Sequence, residues 1–239
     1  HTRYGTVTGV QTCALPISFF LTSRFLDNRE LGYFFKRELL VNTLKDQPGR
    51  ADQVTTILAR HNRPTKHLPH SIGSLRHDQQ AVMDELAAVL EVDFDGYLAR
   101  HKPFMDSDQV RSLVDQGFTI GAHSVDHPLY ALLSLDEQLR QTRESMDAIQ
   151  QRFGLSYRAF AFPHSDMGVS QTYFNEVFRQ GIVDVSFGAS GLVTDTHPRS
   201  LQRLWLEYKT FTARERLHAE YVDSIVQGMN GRNRVQRPR

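Results

Sequence analysis

Two histidines, His123 and His127, stand four residues apart in the run Gly117-Phe-Thr-Ile-Gly-Ala-His-Ser-Val-Asp-His-Pro128. Neutral imidazoles are common ligands of zinc and similar divalent ions. This spacing lets two of them reach one ion from a single helix face or from a short loop. Gly121 ahead of the pair and Pro128 behind it favour the loop. The loop follows Phe118–Ala122, which reads as a buried strand, and in parallel α/β folds the loops after strand C-terminal ends assemble the active site. A metal held there by two histidines keeps room for a carboxylate and a water. The same spacing also suits a polar surface loop, or a static zinc clip in a protein of another function.

The next stretch with chemical content is Arg158-Ala-Phe-Ala-Phe-Pro-His-Ser165. It reads as a strand running into a loop, Pro163 to Gly168, where His164 and Ser165 would lie beside the histidine loop. Arg158, Asp166, Arg203 and Trp205 are the further candidates for a substrate pocket. Trp205 lies in the strand-like Arg203-Leu-Trp-Leu-Glu207 and reads more readily as core than as pocket wall. His67 and His70 fall in a proline-containing polar stretch and read as surface; His197 precedes a proline in a turn, and His218 lies on an amphipathic helix. Gly188-Ala-Ser-Gly191 is too short and wrongly placed for a dinucleotide loop.

These residues need elements to position them. Ser18–Thr22 reads as a strand, followed after Asp27-Asn28 by a helical pattern through Leu31, Phe34, Phe35, Leu39 and Leu40. Residues 45–80 read as loop with short helices, Asp78–Leu90 as a helix, and Leu98–Pro103 as a connector. Ser107 is a candidate cap for a helix through Val110, Leu113 and Val114, with Gly117 ending it. Ser134-Leu-Asp-Glu137 has the form of a capping box and opens a helix that Gly154 stops. A helix over about 171–180, strands at Val183–Phe187 and Leu204–Leu206, and a helix over about 213–227 complete the chain. The repeated helix, strand, polar loop order predicts an α/β fold with parallel strands, as barrel or open sheet.

The run from Gly117 to Pro128 resembles the second motif of polysaccharide deacetylases of the NodB-homology class, a strand and a small residue followed by His-Ser/Thr-x-x-His. In that family both histidines bind the metal, so the resemblance makes His123 and His127 metal ligands. The Arg158–Ser165 stretch falls where the family's third motif should be, a strand, a proline and usually Tyr-Gly, whose backbone amide after the proline helps hold the acetyl oxygen. Here His164 replaces the tyrosine and Ser165 the glycine, which leaves the backbone N–H in place. Ala161 stands where many members carry an arginine that orients the catalytic base, and Arg158 could take that role only if the strand geometry allowed. The family's first motif, Thr-Phe-Asp-Asp-Gly, supplies the general base and the third metal ligand. No such string occurs here.

Residues 1–17 stand where that motif would lie, and Val7–Ile17 resembles the conceptual translation of a sequencing-adapter oligonucleotide. They are therefore set aside as a non-native segment. Residues 18–228 are read as a partial deacetylase domain with a helical insertion over 45–103, and residues 229–239 as a basic tail. The resemblance implies a distorted (β/α) barrel lacking its first strand, and a hydrolase that removes acetyl groups from an N-acetylated sugar polymer or oligosaccharide. The implied cofactor is a divalent metal ion, zinc first, with cobalt or manganese as alternatives. Without base and third ligand the chain as given is expected to be inactive. A carbohydrate-binding pseudo-enzyme of the same fold and an O-acetyl esterase are the alternative readings.

Bulk properties set outer limits. The 239 residues carry a net charge of +1, 40% hydrophobic and 23% charged residues, an ordinary balance for a globular protein. There is no global basic field for nucleic acid, and no apolar run approaches the roughly 20 residues of a membrane span. Arg232, Arg234, Arg237 and Arg239 concentrate positive charge at the C-terminus, which reads as a solvated, frayed end. The single cysteine, Cys13, rules out an intrachain disulfide. That fits a reducing compartment without proving one, since Cys13 falls in the segment set aside; bacterial cytoplasm and cell envelope both stay open, with a lean to the cytoplasm.

Overall fold

The computed structural model describes residues 17–206 and 212–238. Five parallel strands form one sheet in sequential order: β1 (Ser18–Leu21), β2 (Thr119–Ala122), β3 (Ala159–Ala161), β4 (Val185–Gly188) and β5 (Ser200–Gln202). The sheet is open. The barrel expected from the family pattern does not close, because β1 and β5 lie at opposite edges and do not pair with each other among the described residues. The expected strand at Leu204–Leu206 is displaced: β5 ends at Gln202, and Trp205 and Leu206 are 49% and 48% exposed. Ile17 extends β1 by one bond, its carbonyl accepting from Thr119 N at 3.1 Å. The rest of the adapter-like segment, residues 1–16, lies outside the described residues, as does Glu207.

Strand sequence and burial agree. Ala159, Phe160 and Ala161 are buried on both faces, as a central parallel strand requires. Gly121 in β2 is dictated by packing, since a Cβ there would come within 2.6 Å of both the Ala159 carbonyl and the Phe20 ring. Helix α7 (Leu135–Phe153) crosses from β2 to β3. Ser134 caps it by accepting from Glu137 N, and Gly154 ends it in the left-handed conformation. Met146 and Ile149 of α7 and Tyr173, Phe174, Val177 and Phe178 of α8 (Gln171–Arg179) join β2 and β3 in the main core. Helix α9 (Ala213–Met229) follows β5, with Tyr221, Val222 and Ile225 more than half exposed.

The crossover from β1 to β2 carries six helices. These are α1 (Tyr33–Asp46), α2 (Ala51–Arg60), α3 (Leu68–Gly73), α4 (Gln80–Leu90), α5 (Phe94–His101) and α6 (Ser107–Asp115). The first four share a second hydrophobic core of their own, which includes Leu40, Leu58, Ile72, Met83, Leu86 and Leu90. Helix α1, from Tyr33, packs into that core of the helical body as well. The predicted connector at Leu98–Pro103 is largely the end of α5, capped by the Asp93 carboxylate accepting from Gly96 N. The cap of α6 is Asp106 rather than Ser107. Ser107 instead donates from both N and Oγ to Asp27, at 2.7 and 2.8 Å. Asn28 and Phe104 exchange two hydrogen bonds of 2.8 and 2.9 Å, closing the base of the body.

The C-terminal tail is not frayed. Val235 N donates to Thr194 O, Thr194 N donates to Asn233 O, and Gln171 N donates to Pro238 O. Arg237, read from sequence as one charge among four at a loose end, has a side chain only 1% exposed. Two buried carboxylates, described below, draw it in.

Candidate active site

The C-terminal edge of the sheet carries two loops that face one another. The first, residues 123–127, is fixed from three sides. His123 N donates to Leu21 O at 2.8 Å and Ser23 N to Ser124 O at 3.1 Å, which ties the loop to the segment after β1. From α7, the Gln141 side-chain oxygen accepts from Val125 N and Asp126 N at 3.0 and 3.2 Å, while its Nε2 donates to Asp126 at 2.8 Å. Within the loop, His127 N donates to Ser124 Oγ at 2.9 Å. The Asp126 carboxylate is committed to this scaffold, with Arg24 at 2.6 Å on its other side.

Turned this way, the rings of His123 and His127 lie 4.9 Å apart, and the ring of His164 from the second loop lies 4.6 Å from that of His127. His123 donates from Nδ1 to the Ala161 carbonyl at 2.7 Å, which fixes its tautomer and leaves Nε2 with a lone pair. Burial lowers the His123 pKa to about 4, against the raising effect of that hydrogen bond, and Arg203 and His164 lower it further. Burial likewise lowers His127 to about 3, helped by His123 and His164. Both rings are therefore neutral at pH 7, the form that binds a metal. Ser124, His127 and His164 all have positive φ, of 68°, 60° and 56°. Such strain in non-glycine residues clusters where function demands it.

A residue with no sequence signal, Tyr33, links the helical body to both loops. Its hydroxyl lies 3.2 Å from the His127 carbonyl and 3.1 Å from His164 Nε2. Phe34, the next residue of α1, packs its ring 5.2 Å from His127. Among these aromatic neighbours, His127 Nδ1 is buried and has no hydrogen-bond partner. An orphaned buried nitrogen calls for an explanation, and a bound cation is one that also uses the free Nε2 of His123. The two imidazoles thus fit two positions of a divalent-ion site. Among the described residues, no group of three or more His, Cys, Asp or Glu is placed to hold a metal.

The other predicted pocket residues divide. Arg203 is at the site: its guanidinium donates to Gly188 O at 2.9 Å and Phe162 O at 3.0 Å, across the C-terminal ends of β4 and β3. Arg158 is at the opposite end of β3. There it donates to Ile182 O at 2.6 Å and pairs with Asp147 at 2.6 Å, so it cannot stand in for the arginine missing at Ala161. Asp166 is fully buried beneath the second loop, pairing with Arg237 at 2.7 Å and accepting from Ala189 N at 3.0 Å. Asp195 pairs with the same guanidinium, whose face lies 3.6 Å from the Phe174 ring centroid. Gly188 makes room for this cluster, because a Cβ there would lie 2.4 Å from the Asp166 carboxylate. Trp205 is half exposed in a shallow depression with Arg203, Leu204 and Leu206, not in the core. Pro163 is buried, while His164 and Ser165 reach the surface beside the histidine loop. His67, His70 and His218 are exposed, and His197 stacks on Phe178 at 4.0 Å, away from the site.

This rim lies in a segment that matches a known protein family. Residues 89–182, which hold β2, the histidine loop, α7, β3 and the second loop, match the family model described as polysaccharide deacetylase. The likeness to solved structures is of low overall score. A deacetylase of Streptococcus pyogenes, PplD in complex with acetate, has 18% identity and a TM-score of 0.41 over 49% of this chain and 51% of that one. IcaB from Ammonifex degensii has 17% identity and a TM-score of 0.37 over 48% and 54%. BC0361, a polysaccharide deacetylase from Bacillus cereus, has 17% identity and a TM-score of 0.37 over 51% and 37%. The chain thus spans about half the length of the first two and less of the third. None of the curated protein sequences matches it.

Proposed function

We propose that this chain carries the fold and metal-binding histidines of a metal-dependent deacetylase acting on an N-acetylated sugar polymer or oligosaccharide. The observation that supports the reading is the pair of neutral imidazoles with ring centroids 4.9 Å apart, one with its tautomer fixed by Ala161 O and the other with an orphaned Nδ1. They lie within the segment that matches the deacetylase family model.

When bound by His123 and His127, a divalent ion, zinc first, would supply Lewis acidity and lower the pKa of a coordinated water. The chain's own contributions are positional. The loop from Pro163 to Ser165 offers a backbone N–H at His164 toward the developing oxyanion. Tyr33 holds that loop and the histidine loop in one frame through His164 and the His127 carbonyl. Arg203 braces the carbonyl ends of β3 and β4 beside His123. A general base and an anionic third ligand are the two parts that the described residues do not bring to the histidines.

General-base loss costs on the order of 10²–10⁴ in rate. The reading therefore expects little acetate release by residues 1–239 from acetylated glucosamine oligomers with zinc, cobalt or manganese. Replacing residues 1–17 with a strand that carries an Asp-Asp pair ahead of Ser18 should restore metal-dependent release. His123→Ala in the restored protein should abolish both metal uptake and acetate release. Equal activity in the chain as given and the restored protein would place base and third ligand within 18–239 and overturn this account.

A further inference from the structure

Beside His164, where the helical body meets the loop after β2, a cavity of about 310 Å³ opens to solvent. Its walls are Tyr33 and Arg37 of α1, Arg76 and His77 after α3, and Leu129 and Leu132 of the loop. None of these residues carried a signal in the sequence. The two leucines are 36% and 56% exposed, and so present an apolar floor to solvent. Isolated exposed leucines are ordinary on protein surfaces. A pair of them lining one concavity next to a candidate active site is the usual make-up of a ligand pocket.

Charge makes this cavity selective. Arg37 is aimed by two contacts: its Nη1 donates to Leu75 O at 2.9 Å, and its guanidinium lies 4.9 Å from the Tyr33 ring centroid. Its Nε is buried with no hydrogen-bond partner, and among the described residues no carboxylate pairs with it. Arg76 has one carboxylate neighbour, Asp78 at 3.2 Å, and both of these side chains are about half exposed. Two permanent cations thus line the cavity, with Asp78 beside Arg76 and Glu137 within electrostatic reach of His77. A partly buried guanidinium with an unused donor and no counter-charge is costly to keep. The buried Nε is out of an anion's reach, but an anion seated against the part of the guanidinium that lines the cavity supplies the missing counter-charge, and the planar fork of arginine suits carboxylate and phosphate oxygens.

We propose that this cavity binds an anionic substituent of a sugar, a carboxylate or a phosphate, with Arg37 as its main partner, Arg76 as the second, and Leu129 and Leu132 against the sugar ring. Placing that sugar next to the one presented to the histidines rests on the deacetylase reading; the anion site itself does not. The glycan would then be acidic, and the helical body, which contributes Arg37 and Arg76, would be the element that selects it.

The test reads binding and not acetate release. D-glucuronate, glucose 6-phosphate and neutral glucose are titrated into the full chain and followed by NMR shift changes. Saturable binding of one or both acids, with glucose at least tenfold weaker, is expected, and the tighter acid identifies the substituent. Arg37→Gln should weaken acid binding at least tenfold and Arg37→Lys by less, because charge survives but the fork does not. Arg111→Gln, on α6 and paired only with Asp108, should leave it unchanged. If Arg37→Gln fails to fold, Arg76→Gln, at an exposed position, carries the test with an expected severalfold loss. Equal binding of acids and glucose, binding of neither acid, or acid affinity untouched in folded variants would overturn the proposal. Acid binding without acetate release from the restored protein would leave the anion site standing and sink only the enzyme reading.

Discussion

Replacing Arg237 with alanine should destabilise the protein by several kcal/mol, although the residue is the third from the C-terminus. The guanidinium is 1% exposed, and its two partners, Asp166 and Asp195, are no more exposed than that. Removing the cation leaves two buried carboxylates that share the neutral donor Gln202 and lose their common counter-charge. Breaking a buried pair from one side costs about 3–5 kcal/mol, set against a net stability of about 5–15 kcal/mol for a typical domain. Urea denaturation at pH 7 should show a loss in that range, while Arg179→Ala, at a solvent-exposed pair with Glu176, should cost under about 1 kcal/mol. The pH dependence supplies a second check. Burial alone would raise the Asp195 pKa, but the hydrogen bond and charge of Arg237 outweigh it and hold the group at about 2. In the wild type this contribution is complete above the unfolded value of 3.8 and is lost as pH falls toward 2. In Arg237→Ala the Asp195 carboxylate loses its cation, and the burial that opposes its charge then favours protonation. The gap between the two proteins should therefore narrow between about pH 6 and 4. A loss below about 1 kcal/mol at pH 7, or a gap that stays constant on acidification, would refute the view that the tail is bound through this charge cluster.

Two further outcomes bear on the histidine loop. His123 and His127 titrate at about 4 and about 3, below the ordinary 6.5, so on acidification the unfolded chain takes up protons first. Their contribution should be complete above pH 6.5 and decline as pH falls toward 4, and the urea midpoint should show a slope in that window that His127→Phe flattens. Gln141→Leu removes the acceptor of two loop N–H groups and the donor to Asp126. It should cost about 1–3 kcal/mol by denaturation and weaken zinc binding roughly tenfold by loosening the loop; unchanged affinity would show that the loop holds its shape without Gln141.

The elements with local signals were readable in the sequence. Ser134 and Gly154 mark both ends of α7 because capping chemistry acts within one turn. The apolar runs at 18–22, 118–122 and 159–162 mark β1, β2 and β3, and the loop between Ala122 and Pro128 holds His123 and His127 side by side at the expected sheet edge. What escaped reading is carried by contacts far apart in the chain. Residues 45–80 look polar, yet Val54, Ile57, Leu58, Ile72 and Leu75 are buried, because short helices pack on one another and on α1; α2 does show one apolar face at Val54, Ile57 and Leu58, but it lies among prolines and charges that read as loop. Arg158, Arg203 and Arg237 are indistinguishable as letters. The first is at the wrong end of β3, the second braces the site, and the third is buried among carboxylates, and only the three-dimensional path of the strands separates them.

The electrostatics of the rim bear on how the two histidines would take a metal. Arg24 is matched by Asp126 and Arg237 by Asp166 and Asp195, so these guanidiniums contribute little net field at the histidines. Arg203 and Arg37 are different: their hydrogen bonds go to neutral carbonyls, and each lowers the pKa of a ring in the histidine cluster. A field that opposes a proton on these imidazoles opposes a divalent cation there as well. Neutral ligands do not offset that repulsion; an anionic ligand does, and so does an anionic substrate group seated against Arg37. The carboxylate that the deacetylase pattern puts on the strand ahead of Ser18 would thus do more than complete a coordination number. It would supply the negative charge that lets this positively biased rim accept a metal, and its omission should weaken metal binding by more than the loss of one neutral ligand would.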